Sequence, residues 1–228
     1  MRNSISRAKY CLELEQLEDR LVLSSPSSFV TSLYVNLLGR QPGATELPGW
    51  VNMISSGVTY QQIATDIWDS VEHRTDQVDA YYVNYLHRAP DPAGESGWIL
   101  ALETGYLNEQ GVKTGFLTSN EYLNDYPTPQ AYVNALYLNI LGRNPQPAEE
   151  LQWVSILQQT SNTYVVAALL TSTESYTRIV TAYYQSWLFR APDAAGLQGW
   201  LNSLQSGFST LESVAESILG STEYANKH

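Results

Sequence analysis

Apolar side chains fall at helical spacing along most of the chain. Phe29, Leu33 and Leu37, with Tyr34 and Leu38 beside them, recur at intervals of four and mark one face of a helix. Gly39 suits the left-handed residue that closes such a helix, and Arg40 then faces its negative end. After a Pro-containing turn, Leu47, Trp50, Val51 and Ile54 form a second stripe over about Thr45 to Ser56, which Gly57 breaks. Ile63, Ala64, Ile67 and Trp68 form a third, and the pattern persists to Leu211, Val214, Ala215 and Ile218 near the C-terminus. Strand-like alternation never lasts beyond a few residues, so the predicted fold class is all-α.

The three-helix block is iterated four times. Leu33 to Pro42, Tyr81 to Pro90, Leu136 to Pro145 and Tyr183 to Pro192 each run from an aromatic-rich helix end into Arg-x-Pro. Ten residues beyond the arginines Arg40, Arg88, Arg143 and Arg190 stand Trp50, Trp98, Trp153 and Trp200. Each copy closes on Ser-x-Glu, at Ser70/Glu72, Ser119/Glu121, Ser172/Glu174 and Ser221/Glu223. Landmarks held in this order predict four repeats of roughly 50 residues, about three helices each. Copies one and three share Leu-Gly-Arg-x-Pro, whereas two and four share Arg-Ala-Pro-Asp-x-Ala-Gly, so a two-repeat unit was duplicated. Its seam falls at Tyr126-Pro127-Thr128-Pro129, where Thr128 can cap a helix that Pro129 begins. The expected organisation is a leader over 1–28 and two tandem helical domains, 29–126 and 127–228.

The leader has its own character. Arg2, Arg7, Lys9 and Arg20 balance Glu13, Glu15, Glu18 and Asp19, and its longest apolar run, Leu21-Val22-Leu23, stops at Ser24. That is too short for the core of an ordinary signal peptide. Leu12-Glu13-Leu14-Glu15-Gln16-Leu17-Glu18-Asp19-Arg20-Leu21-Val22-Leu23-Ser24 resembles the LExLExRxLLS motif that opens many exported and surface proteins of planctomycete bacteria. The resemblance implies an extracellular or cell-surface location. Periodicity alone would also read Leu14, Leu17 and Leu21 as an amphipathic helix.

Charge narrows the partners. The 228 residues carry a formal charge of -11, which repels phosphate backbones and makes nucleic acid an unsuitable partner. No stretch reaches the roughly 20 apolar residues of a membrane span. Cys11 is the only cysteine, so the body depends on no disulfide.

The run from Phe29 to Pro42, with Arg-Ala-Pro-Asp-x-Ala-Gly leading to Trp at Arg88 to Trp98 and Arg190 to Trp200, resembles the DUF4214 family. That family is a helical module of unknown function found in bacterial extracellular proteins, and its LYxxxLGRxPD stretch is similar to the linker domain of phycobilisomes. Gly43 and Gln146 stand where the family has Asp, and the acidic body is unlike the basic linker proteins.

Glu72, Glu121, Glu174 and Glu223 are the carboxylates matched in all four copies, so each is expected to pair with Arg40, Arg88, Arg143 or Arg190 and clamp its repeat to the next. Trp50, Trp98, Trp153 and Trp200 sit on apolar helix faces and are expected in the core. Tyr60, Tyr106, Tyr164 and Phe208, just after the breaks of the second helices, are expected to form a row of contact aromatics. Asp91 and Asp193 read as helix caps. No cofactor is expected, and calcium, which needs six or more oxygens, is left open by loops with one Asp each. The histidines His73, His87 and His228 fall in no metal or nucleophile motif, and no phosphate-binding glycine loop is present. The expected function is a non-enzymatic, exported repeat protein that binds a protein or matrix partner. The alternative is a carbohydrate-binding or hydrolytic surface protein using exposed aromatics.

Overall fold

The computed structural model describes residues 25–228, so Cys11 and the whole LExLExR-like run over 12–24 lie outside the described residues. The first repeat consists of α1 (Pro26–Leu38), α2 (Glu46–Ser55) and α3 (Tyr60–Trp68). The second follows as α4 (Val71–Leu86), α5 (Pro92–Glu103), α6 (Glu109–Leu117) and the short α7 (Asn120–Asp125). The third has α8 (Pro129–Leu136), prolonged by a π-helical turn over Tyr137–Leu141, then α9 (Pro147–Leu157) and α10 (Asn162–Leu170). The fourth has α11 (Thr173–Leu188), α12 (Ala194–Gln205), α13 (Leu211–Leu219) and α14 (Thr222–Lys227). No strand occurs among the described residues, and none of their helices is long and apolar enough to cross a membrane.

Capping explains most boundaries. Ser25 accepts the backbone N–H of Ser28 and Pro26 starts α1, so residues 25–28 belong to the first helix rather than to a leader. Ser70, Ser119, Ser172 and Ser221 accept from the N–H groups of His73, Tyr122, Ser175 and Tyr224. The serine of each Ser-x-Glu is thus an N-cap, and the glutamate lies in the first turn, where the helix dipole favours negative charge. After repeats one and three, the helix so capped runs on without a break into the first helix of the next repeat, as α4 and α11. After repeat two it stops at Asp125, because Pro127 and Pro129 cannot supply interior N–H groups.

The core crosses the seam. One hydrophobic cluster joins Phe29, Leu33, Ile63 and Ile67 of the first repeat to Val180, Leu188, Val214 and Ile218 of the fourth. The other joins Val78, Val112, Phe116 and Leu117 of the second to Val133, Leu136, Val165 and Val166 of the third. Accordingly α3 packs on α13 and α6 packs on α10. The third helix of a repeat carries more apolar surface than its own two partners can cover, so it buries the rest against its counterpart elsewhere. The halves 29–126 and 127–228 are therefore not separate packing units. Exchanging the halves maps repeat one on three and four on two, and so carries one core onto the other. This is the pairing of an interlocked symmetric dimer of two-repeat units, written as one chain.

Candidate functional site

Each repeat builds the same Arg–Glu–Tyr assembly where its first helix ends, and three of the four bond an indole to it. Arg40 donates from Nε and Nη2 to the Glu72 carboxylate at 2.5 and 2.6 Å, and Arg143 does the same to Glu174 at 2.5 and 2.8 Å. Arg88 meets Glu121 at 2.5 and 2.9 Å, and Arg190 meets Glu223 at 2.6 and 2.7 Å. All four pairs are bidentate, tying the first turn of a repeat to the Ser-capped helix that closes it. The guanidiniums lie 4.8–5.1 Å over the rings of Tyr34, Tyr82, Tyr137 and Tyr184. In turn the Trp50, Trp153 and Trp200 indoles donate to the hydroxyls of Tyr34, Tyr137 and Tyr184 at 2.8–3.1 Å.

The tryptophans differ from the expected core. Trp50, Trp98, Trp153 and Trp200 are half-buried and flank the two clusters instead of filling them. The second helices are peripheral: α2 buries no residue fully, and α9 buries only Val154. An indole N–H needs an acceptor, and at the core edge the tyrosine hydroxyl supplies one. The innermost aromatics are Tyr122, Tyr132, Tyr224, Phe29 and Phe116.

The loop after each arginine is solved in two ways. In repeats two and four, Asp91 and Asp193 accept from the N–H groups of Gly94 and Gly196 at 2.9 and 2.8 Å. In repeats one and three, Glu46 and Glu149 lie three residues later, accept from the N–H groups of Gly43 and Gln146, and also grip Arg40 and Arg143 at 2.7–2.9 Å. The missing family Asp is thereby replaced. The arginine, then the backbone N–H, holds the Glu46 and Glu149 carboxyls down to about 2. Sequence reasoning missed this pair, although Glu and Gly alternate at that position from repeat to repeat.

The expected aromatic row does not form. Tyr60 begins α3 and stacks on Phe29 with centroids 4.2 Å apart, half-buried against the core. Tyr164 lies inside α10, at the third residue. Only Tyr106 and Phe208 share a position, two residues before the N-caps Asn108 and Thr210, and they are 82% and 91% exposed. Gly57, Gly105 and Gly207 set a helix end in three copies, whereas Gln158-Gln159-Thr160 follows α9 in the third, and the aromatic that follows is not the same residue in space.

A polar cluster at the junction of repeats one, two and four was illegible in the repeats. Buried Arg74 pairs with Asp69 at 2.5 Å and with buried Glu109 at 3.1 Å. Gln77 donates to Glu109 at 2.7 Å, and the backbone N–H of Glu109 donates to Glu212 across the two halves at 2.8 Å. Burial, then the nearby Glu109, pushes the Glu212 carboxyl up, and burial does the same to Glu216. The positions equivalent to Arg74 are Leu123, Tyr176 and Ala225, so periodicity gave no signal for it.

Among the described residues no group of three or more His, Cys, Asp or Glu is placed to hold a metal ion, and the Asp91 and Asp193 carboxylates are used as caps. His73 is buried with Nδ1 2.7 Å from the Trp68 carbonyl, and His228 rests on the Trp187 carbonyl. No curated protein and no solved structure matches the chain. The family model described as domain of unknown function DUF4214 matches residues 22–77, 73–126, 124–179 and 175–228. Successive matches overlap at 73–77 and 175–179, inside α4 and α11, and at 124–126, where α7 ends at the seam. With four matched segments spanning the repeats, the chain belongs to the DUF4214 family.

Proposed function

We propose that this chain is an exported, non-enzymatic helical repeat protein that holds a protein or matrix partner at the cell surface. The observation that carries the reading is Tyr106 and Phe208, two strongly exposed aromatics at one repeat-equivalent loop position. Large exposed aromatics at equivalent sites favour contact with a partner. The conspicuous arginines, by contrast, are engaged with carboxylates inside their own repeats, which argues for a scaffold over an anion-binding or reactive site. Export rests on the resemblance of residues 12–24 to a planctomycete leader motif.

The test is affinity capture from cell envelope with the full chain, beside a Tyr106→Ser/Phe208→Ser variant. A defined partner retained by the first and lost by the second supports the reading. Saturable change of indole emission with soluble polysaccharide, abolished in the same variant, would establish the carbohydrate alternative instead. Finding the chain confined to the cytoplasm on fractionation would remove the export element.

A further inference from the structure

Two grooves occupy equivalent places in repeats two and four, and the exposed Tyr106 lines the first. The first, of about 690 Å³, is lined by Gly94, Gly97, Trp98, Ala101, Tyr106 and Leu107. The second, of about 370 Å³, is lined by Tyr184, Gly196, Gly199, Trp200 and Ser203. Gly94 and Gly196 stand where repeats one and three carry Glu46 and Glu149, whose side chains reach back to the arginines. Asp91 and Asp193 cap the helices instead, and a side chain at Gly94 would strike the Tyr82 hydroxyl, so the second and fourth repeats dispense with that glutamate.

Chemistry and charge identify the occupant. The floor of the first groove is helix α5 presented through Ala93, Gly97 and Ala101, with no bulk to keep another backbone away, and Leu100 and Tyr106 stand up beside it, 59% and 82% exposed. Thr104, the Tyr106 hydroxyl and the Trp98 indole N–H are the polar side-chain groups of its lining, with no carboxylate or amide among them to grip the hydroxyls of a sugar. Past Thr104 the groove adjoins a polar hollow of about 420 Å³ lined by Glu103 and by Asp69 and Arg74, which are paired with each other. Glu103 makes no ion pair among the described residues. The eight Lys and Arg of residues 25–228 are each paired with a carboxylate or a backbone carbonyl, while the same segment carries the whole charge of -11. A surface that is anionic around an apolar, small-residue groove complements a helix with one apolar and one cationic face.

The geometry points to these two grooves as docking sites for a basic amphipathic helix of a protein partner. Its apolar side would lie along α5 or α12 between the indole and the exposed aromatic, and in repeat two its Lys or Arg side chains would reach Glu103. This inference rests on the partner-binding reading above and names the partner's chemistry.

The probe is a helical peptide of Leu and Lys in amphipathic spacing, titrated into the full chain and followed by calorimetry and indole emission. A matched peptide with Glu in place of every Lys is the control. A side chain at Gly97 or Gly199 meets open space, so Gly97→Gln/Gly199→Gln fills both grooves without touching the fold. The expected result is binding of the Leu/Lys peptide that weakens as salt is raised, and falls roughly tenfold or more in the double variant while its melting temperature holds or rises. Absence of binding, equal binding to the variant, or equal binding of the Glu peptide would overturn the inference. If an envelope partner is still captured equally by the double variant, the grooves are dismissed and the partner-binding reading stands. If oligosaccharide fills the grooves instead, both fall.

Discussion

Arg40 and Glu72 lie 32 residues apart in the chain and meet through two parallel hydrogen bonds of 2.5 and 2.6 Å, the guanidinium resting 5.0 Å over the Tyr34 ring. The same relation recurs in every repeat. It is the ionic closure of a unit whose hydrophobic closure comes from a different repeat.

Replacing Arg143 with Ala removes the partner of both Glu149 and Glu174. The melting temperature is expected to fall, and by more than for Arg88→Ala, whose guanidinium is bidentate to Glu121 alone. Arg143→Lys should restore little of the loss, because a compact ammonium cannot reproduce the planar fork that makes four hydrogen bonds to two carboxylates. Thermal scans of the three variants decide it, and unchanged stability of Arg143→Ala would remove the clamp.

The two loop solutions should be interchangeable. Glu149→Ala is expected to destabilise the protein by loss of the carboxylate that accepts the Gln146 N–H and of an ion pair. Adding Gln146→Asp should recover the capping part, since Asp91 and Asp193 occupy that position in repeats two and four. Denaturant midpoints of the single and double variants test this, and a double variant no more stable than the single would separate the two loops.

Acid should strip the repeats unevenly. Glu46 and Glu149 have folded values near 2 against an ordinary 4.5, so the unfolded chain binds more protons between those values. Their stabilisation is full above about pH 4.5 and is lost as pH falls towards 2. Glu46→Gln/Glu149→Gln should therefore flatten the acid limb of the stability curve below pH 4.5, as read by thermal scans.

Glu212 runs the other way. Burial and Glu109 raise its folded value, so the native state holds the proton longer and stability falls as pH rises through that value. Glu212→Gln keeps an oxygen for the Glu109 N–H and removes the charge. It is expected to raise the melting temperature at pH 7 and to leave it nearly unchanged at about pH 4, and an equal effect at both would sink the assignment.

His87 and Phe189 close α4 and α11 at φ of 53° and 52°, where Gly39 and Gly142 close the first helices of repeats one and three. The left-handed conformation costs a residue with a Cβ roughly 1 kcal/mol. His87→Gly, at an exposed site, is expected to raise the melting temperature by about 2–4 °C for a chain of this size.

The helices, their number per repeat and the Arg to Glu partners were legible because each is a periodic signal. Leu33 and Leu37 share a face by spacing, and matched charges in four copies have few other partners to choose. The indoles were harder. Helical phase shows which face Trp50 lies on, but not that α2 stands at the rim, where the ring is only half covered and needs the Tyr34 hydroxyl. Tyr60 and Tyr106 follow similar breaks, yet Tyr60 stands one residue past its cap, stacked on Phe29, and Tyr106 two residues before its cap, in solvent.

By itself the amino-acid order determined the local geometry: caps at Ser70 and Ser172, breaks at Pro127 and Pro129, a left-handed end at Gly39. These depend on residues within one turn of each other. Only the tertiary structure decided that repeat one buries its third helix against repeat four, that Arg74 finds Glu109, and that Tyr106 borders a groove along α5. Those outcomes depend on which apolar faces remain uncovered once neighbouring helices have packed, and that remainder is a property of the assembled chain.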